Sequence, residues 1–92
     1  MKKAKIHWSH DVFNEQVKLP NLTTYYATTE KLEDGIVWSV VIKFDLAPRL
    51  QQSMIHDCTI CFLFDNAPHH LLVSSRELKI FKGKEIAKII IE

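Results

Sequence analysis

Cys58 and Cys61 stand three positions apart, the spacing of a C-x-x-C motif. Redox forms of this motif open a helix, whose dipole lowers the pKa of a thiol, and zinc forms lie on a turn with two further ligands. Here residues 58–64 alternate in the manner of a strand, and side chains three apart on a strand point to opposite faces. We therefore predict that the two thiols are separate, small packing residues.

The five histidines are the next candidates for chemistry, because imidazole is a common metal ligand. His56 and Asp57 precede the 58–64 strand, and His69 and His70 follow it. One end of a barrel that gathered His56, Asp57 and one histidine of the pair would form a metal site. However, the spacing matches no H-x-x-x-H or comparable ligand pattern, so we expect exposed loop histidines, no metal and no cofactor.

Aromatic and basic side chains form a third group. Proteins that bind single-stranded nucleic acid combine lysines with aromatic rings that stack on bases. The residues of these types are Trp8, Tyr25, Tyr26 and Trp38, with Lys2, Lys3, Lys5, Lys79, Lys82, Lys84 and Lys88. Trp38 lies on the most apolar face of its predicted strand, which favours a core position. The C-terminal lysines equally suit edge strands, where charge prevents sheet-to-sheet association.

Other reaction classes lack the residues that they require. The serines and cysteines stand in no nucleophile motif, and the acidic residues form no assignable acid–base pair. Without a Gly-x-x-x-x-Gly-Lys-Ser/Thr loop, nucleotide hydrolysis is excluded for this chain. Its 12 basic and 11 acidic residues leave a net charge of +1, which argues against a protein that coats duplex nucleic acid. We predict that the protein is not an enzyme.

Length and the N-terminal segment bound the organisation and location of the chain. Its 92 residues suit a single domain. His7, His10 and Asp11 follow the first lysines closely, where a signal peptide would have an apolar stretch. The longest uncharged interior run, residues 35–42, is far shorter than the about 20 residues of a spanning helix. These features predict a cytoplasmic protein with no membrane contact.

Apolar residues recur mostly at every second position, which indicates strands. The run 36–46 shows this best, and one face of it carries Ile36, Trp38, Val40, Ile42, Phe44 and Leu46. Its other face changes from apolar to polar and carries Val37, Ser39, Val41, Lys43 and Asp45. Further strands are predicted at 58–64, 77–81 and 86–91, and shorter ones at 4–9, 23–28 and 70–73. Residues 48–56 are expected to form a helical turn or a loop.

Six or seven short strands separated by turns predict an all-β fold, either a small antiparallel barrel or a sandwich, with no helix longer than about three turns. The residues predicted to form its core are Trp38, Val40, Ile42, Phe44, Ile60, Phe62, Ile80 and Ile89. Between the last two strands, residues 82–85 read Lys-Gly-Lys-Glu. This is a predicted hairpin turn in which Gly83 takes a positive φ angle.

Three motifs follow one another in residues 58–92. An alternating strand Cys58-Thr-Ile-Cys-Phe-Leu-Phe-Asp is followed by Ala-Pro, by Leu-Leu and by the hairpin Glu77-Leu-Lys-Ile-Phe-Lys-Gly-Lys-Glu-Ile-Ala. This order resembles the C-terminal β-barrel of elongation factor Tu, with Lys82-Gly83 where that family has Glu-Gly. The strand Asp34-Gly-Ile-Val-Trp38 also resembles the middle strand of small free-standing bacterial proteins made of this barrel alone.

The resemblance implies a barrel that acts as a binding module. In the elongation factor, an arginine of the hairpin helps to hold the T-stem of transfer RNA, and Glu85 stands at the corresponding position here. We therefore predict a non-catalytic module whose partner is an unidentified protein. The alternative is an RNA-binding barrel that uses Lys79, Lys82 and Lys84 as contacts. The sequence leaves the oligomeric state open.

Overall fold

Within residues 1–15 and 18–92, the part of the chain that the computed structural model describes, six strands form one closed antiparallel sheet. The strands are β1 (Lys2–Trp8), β2 (Thr24–Lys31), β3 (Val37–Lys43), β4 (Ile55–Phe62), β5 (Glu77–Phe81) and β6 (Glu85–Ile91). Their order around the barrel is β1-β4-β3-β2-β5-β6, and β6 pairs with β1 to close it. The predicted all-β antiparallel barrel is confirmed.

Helical structure is confined to short segments in the described residues. The helix α1 (His10–Asn14) follows β1, and single 3-10 turns occupy Pro48–Leu50 and His69–Leu71. The helix α1 was not predicted, because five residues are too few to show a helical period. Such a short helix is stable only through tertiary contacts, which the buried Val12 provides here. None of the helices described is long and apolar enough to cross a bilayer.

The predicted strand at 70–73 is wrong, because His69–Leu71 forms a 3-10 turn instead. The Leu71 amide donates to the Pro68 carbonyl at 2.9 Å, so the chain bends at a residue whose φ angle is already restricted. Leu72, the next residue, is buried and holds this connection against the core.

Most strands begin or end one to three residues from their predicted bounds, and in β3 and β4 the difference changes which apolar residues are paired. β3 covers Val37–Lys43, so Ile36 and Leu46, predicted to share the apolar face, are exposed beyond its ends. β4 begins earlier than predicted and ends at Phe62, which leaves Phe64 exposed in the following turn. In each case the alternating pattern runs on past the last residue of the strand.

The core fills the inside of the barrel. Seven of the eight predicted core residues are buried: Val40, Ile42, Phe44, Ile60, Phe62, Ile80 and Ile89. The eighth, Trp38, is partly buried and packs against this core. Its indole Nε1 donates to Asp34 Oδ2 at 2.8 Å, and its ring contacts the ring of Phe62. Trp38 therefore lies at the rim of the barrel, since a buried indole could not reach an exposed carboxylate.

Candidate functional site

The turn between β5 and β6 has the predicted geometry. Gly83 has a φ angle of +81°, and the Lys82 amide donates to the Lys84 carbonyl at 2.9 Å. A Cβ atom added at Gly83 would meet no heavy atom within 4 Å. The backbone angle alone therefore restricts this position to glycine.

Gly83→Val is expected to lower the free energy of unfolding by about 1 kcal/mol or more, because a β-branched side chain strongly disfavours a positive φ angle. Gly83→Asn should cost less, since asparagine tolerates the left-handed region. Urea denaturation of both variants measures the difference. Equal losses would show that something other than the backbone angle limits this position.

The three lysines predicted to contact RNA are all exposed, on β5 and in the turn that follows it. The Lys82 ammonium donates to the Tyr26 carbonyl at 2.7 Å and lies 5.1 Å from the centre of the Tyr25 ring. The Lys84 ammonium forms an ion pair of 2.8 Å with Asp11 and, mainly through this hydrogen bond, lowers the pKa of that carboxyl to about 2. Lys79 is exposed on β5. Two of the three ammonium groups thus contact groups of the protein itself.

The two cysteines lie on opposite faces of β4, as predicted. Cys58 faces the core, where burial raises the pKa of its thiol to about 12. The thiol is therefore protonated at neutral pH, which is the unreactive form. Cys61 is partly exposed on the outer face of the barrel. This arrangement does not bring the two sulfurs to one ligand.

His56 was predicted to lie in an exposed loop, and this prediction is wrong. It is an inward-facing residue of β4 with only 2% of its surface exposed. Trp8 Nε1 donates to His56 Nδ1 at 3.1 Å, which leaves the ring proton on Nε2. Burial lowers the pKa of His56, and the nearby Ser53 carbonyl opposes that shift without cancelling it. His56 is thus a neutral core residue that accepts a hydrogen bond.

The sequence carries a signal for this position that the prediction missed. His56 precedes Cys58 by two residues, and Ile60 and Phe62 continue the same series at every second position. All four face the barrel interior. An alternating pattern that includes one polar residue therefore indicated a buried histidine.

The histidines do not gather around a metal. His69 packs on the ring of Phe62, at the end of β4 remote from His56, and its Nε2 lies 3.1 Å from the Asp65 carbonyl. His56 and Phe62 stand six positions apart on one strand, a distance of about 20 Å. Among the described residues, no three side chains of metal-binding type lie close enough to hold an ion. The hypothesis of a shared metal site is wrong.

A different feature stands out on the outer surface, where three neighbouring strands share a stretch without charged side chains. The registers place Tyr26, Val41 and Cys61 in one row across β2, β3 and β4. Thr28, Ser39 and Leu63 form the next row, in which the Leu63 amide donates to the Ser39 carbonyl at 2.9 Å. With Val37 of β3, we call these seven residues the uncharged face.

Three members of the uncharged face are widely exposed. The exposed fractions are 52% for Tyr26, 49% for Val37 and 46% for Leu63. Exposed apolar residues scattered singly are ordinary on soluble proteins, whereas a contiguous group marks a contact surface. The uncharged face is contiguous because its members are neighbours along β3 or across the sheet.

The opposite side of the barrel has the usual charged surface of a small sheet protein. Lys5 pairs with Asp57 at 2.8 Å, and Lys88 lies 3.9 Å from Glu77. Ile90, an exposed apolar residue of this side, stands between Lys5 and Glu77 in the strand registers. The two sides therefore differ in charge although their strands pair in the same way.

Only some residues of the uncharged face could be grouped together from the sequence. The prediction already separated Val37, Ser39 and Val41 from the core-facing residues of β3. Tyr26 and Leu63 join them through pairing between strands that are 15 or more residues apart in the sequence, which periodicity does not reveal.

Comparisons with protein-family models, curated proteins and solved structures found no match to this chain.

Proposed function

We propose that this protein is a non-catalytic binding module that contacts a protein partner through the uncharged face. The observation that carries the proposal is a contiguous set of uncharged side chains on the outer side of β2, β3 and the end of β4, in which Tyr26, Val37 and Leu63 are exposed around the covered Val41. Centres of protein interfaces are depleted in charged residues and enriched in aromatic ones such as Tyr26. The proposal also retains the sequence-based resemblance to the free-standing barrel of elongation factor Tu and the cytoplasmic location.

The RNA-binding alternative has weaker support. It relies on Lys79, Lys82 and Lys84, and contacts with phosphate would have to displace Lys82 from the Tyr26 carbonyl and Lys84 from Asp11. Glu85, which is exposed beside them, adds a repelling charge. The uncharged face requires no such rearrangement.

The test uses paired variants that remove apolar surface without adding charge. Val37→Thr combined with Leu63→Thr reduces the exposed apolar area of the uncharged face. Ile90→Thr is the control, since Ile90 is an apolar residue that is 37% exposed on the charged side. All three replacements introduce threonine, whose β-branched side chain suits a strand. We expect that proteins co-purified with the tagged wild type from its own cells are lost with the double variant and retained with Ile90→Thr.

Two other results would contradict the proposal. Equal recovery of partners by the double variant and the wild type would show that the uncharged face is not the binding surface. Loss of partners after Lys82→Ala with Lys84→Ala, together with sensitivity to ribonuclease, would support the RNA alternative instead. Thermal unfolding of each variant controls for loss of the fold.

A further inference from the structure

We infer that His56 and Trp8 form an acid-sensitive switch, in which a proton on His56 breaks their hydrogen bond and releases the end of β1, together with α1, from the barrel. The switch lies in the interior of the barrel, so it goes beyond the binding role proposed for the uncharged face and does not depend on it. It follows from the hydrogen bonding of the imidazole ring and from the short segment that Trp8 anchors.

The imidazole of His56 has one atom that can take up a proton. Trp8 Nε1 can only donate, so its 3.1 Å bond to His56 Nδ1 identifies Nδ1 as the nitrogen with the lone pair. Nε2 already carries the ring hydrogen. A further proton must therefore attach to Nδ1, the atom that accepts from Trp8. Protonation and this hydrogen bond exclude each other, because two N–H groups would then face each other.

The surroundings of the ring compensate little for a positive charge. His56 is buried, and its ring contacts the rings of Trp8 and Phe44. Its Nε2 is also buried and makes no hydrogen bond. The Ser53 carbonyl favours the charged form, but burial outweighs it and lowers the pKa of His56. A buried charge without a partner is costly, so the closed barrel holds the neutral ring.

The two strands that carry His56 and Trp8 supply no counter-charge. The next inward residue of β4 is Cys58, whose buried thiol is protonated at neutral pH. Asp57 faces outward, where it pairs with Lys5 of β1 at 2.8 Å. His7 of β1 lies on the same outer side as Lys5.

The other elements near the ring supply no counter-charge either. Tyr25 of β2 contacts Trp8 edge-on, and burial raises the pKa of its phenol, which stays neutral. Lys82 lies 5.1 Å from the centre of that phenol ring and brings a further cation. Asp45, beyond the end of β3, is exposed. Among residues 1–15 and 18–92, no carboxylate forms an ion pair with His56.

Trp8 anchors the segment that the switch releases. It is the last residue of β1, and Ser9 alone separates it from α1. The Trp8 amide donates to the Met54 carbonyl, and the Ser9 amide to the Ile86 carbonyl, each at 2.9 Å. A helix of five residues is stable only while it is docked. Loss of the Trp8 indole from its site therefore loosens α1 as well.

The remaining contacts limit the opening to this segment. Val12 of α1 is buried, and Asp11 pairs with Lys84 at 2.8 Å between exposed groups, which contributes little. β1 stays paired with β4 over residues 2–7. We therefore expect a local opening of residues 8–14 in a barrel that remains folded.

Amide hydrogen exchange at pH 7.5 and pH 5.0 tests the switch residue by residue. Protection factors of the Trp8, Ser9 and Phe13 amides, all hydrogen-bonded in the closed form, should fall at least about fivefold at the lower pH. Low urea should not accelerate this exchange, since a local opening exposes little surface. The Leu63 and Ile91 amides, bonded elsewhere in the barrel, should exchange more slowly and respond to urea.

His56→Gln separates proton uptake from packing. A glutamine carbonyl can accept from Trp8 and does not titrate, so the protection factors of the three amides should stay constant between the two pH values. His7→Gln and His10→Gln are the matched controls and should keep the fall, since neither ring bonds to Trp8. A wild type without the fall, an equal fall in His56→Gln, or its loss in a control overturns the inference.

A second measurement keeps the test decisive if His56→Gln does not fold. Nitrogen chemical shifts of the imidazole, measured by NMR, should show hydrogen on Nε2 of His56 at pH 7.5. Trp8→Phe keeps an aromatic ring but lacks the indole N–H, so it should raise the pKa of His56 in the folded protein. Hydrogen on Nδ1 instead, or a pKa that Trp8→Phe leaves unchanged, contradicts the switch.

Discussion

Phe62→Ala is expected to lower the free energy of unfolding by about 3–5 kcal/mol, a large part of the about 5–15 kcal/mol of a typical domain. Phe62 is 4% exposed and pairs with Val40 across the β3–β4 register. Its ring also contacts the rings of Trp38 and His69. Alanine would leave a cavity between the strands and the 3-10 turn that covers this end of the barrel.

Phe64→Ala is the matched control, because the same residue type two positions later is half exposed beyond the end of β4. It should change the free energy of unfolding by no more than about 0.5 kcal/mol, as exposed substitutions do. Urea denaturation followed by circular dichroism measures both variants. A loss below about 1 kcal/mol for Phe62→Ala would mean that this residue does not anchor the core.

His56→Ala is expected to lower the free energy of unfolding by at least about 2 kcal/mol at pH 8. The change removes a ring that packs against Trp8 and Phe44. It also leaves the buried Trp8 Nε1 without its acceptor, and an unpaired buried donor is costly. The core next to β1 therefore loses both packing and a hydrogen bond.

The effect of His56→Ala should depend on pH. Burial lowers the pKa of His56 in the folded state below its ordinary value of 6.5, so the unfolded chain binds the proton more strongly. Above pH 6.5 the stabilising contribution of neutral His56 is complete, and it declines as the pH falls from 6.5 through the folded-state pKa. The difference between wild type and His56→Ala should therefore shrink between pH 8 and pH 5.

Urea denaturation at several pH values, followed by tryptophan fluorescence, tests this expectation. His10→Ala is the control, because His10 is exposed on α1 and makes no core contact. Its effect should be small at every pH. A difference between wild type and His56→Ala that stays constant from pH 8 to pH 5 would show that His56 keeps its ordinary pKa in the folded protein.

Alternating apolar residues were enough to predict the central elements. The period of two in 36–46 and 77–91 identified strands and the side of each that faces inward, because successive side chains on a strand point to opposite faces. Gly83 was predicted for the same local reason, since a two-strand turn at Lys-Gly-Lys-Glu needs a positive φ angle. The errors lie at strand ends, where a neighbouring strand decides how far pairing continues, as at Phe64 and Leu46.

Two short elements were not predicted correctly from the sequence, for a related reason. The helix α1 and the 3-10 turn at His69–Leu71 contain too few residues to display a period. Packing of Val12 and Leu72 against the core determines their conformation. Local propensity is too weak to override such contacts in segments of three to five residues.

The sequence by itself determined that this chain forms an all-β fold of short antiparallel strands, most of the side chains that fill its core, and where its last hairpin turns. The tertiary structure decided which strands are neighbours, because β1 pairs with β4 and β6, both more than 45 residues away. That pairing buries His56 against Trp8 and assembles Tyr26, Val41 and Leu63 into one uncharged face. Periodicity reports the direction of a side chain relative to its own strand, whereas a surface depends on register between strands, which long-range pairing alone sets.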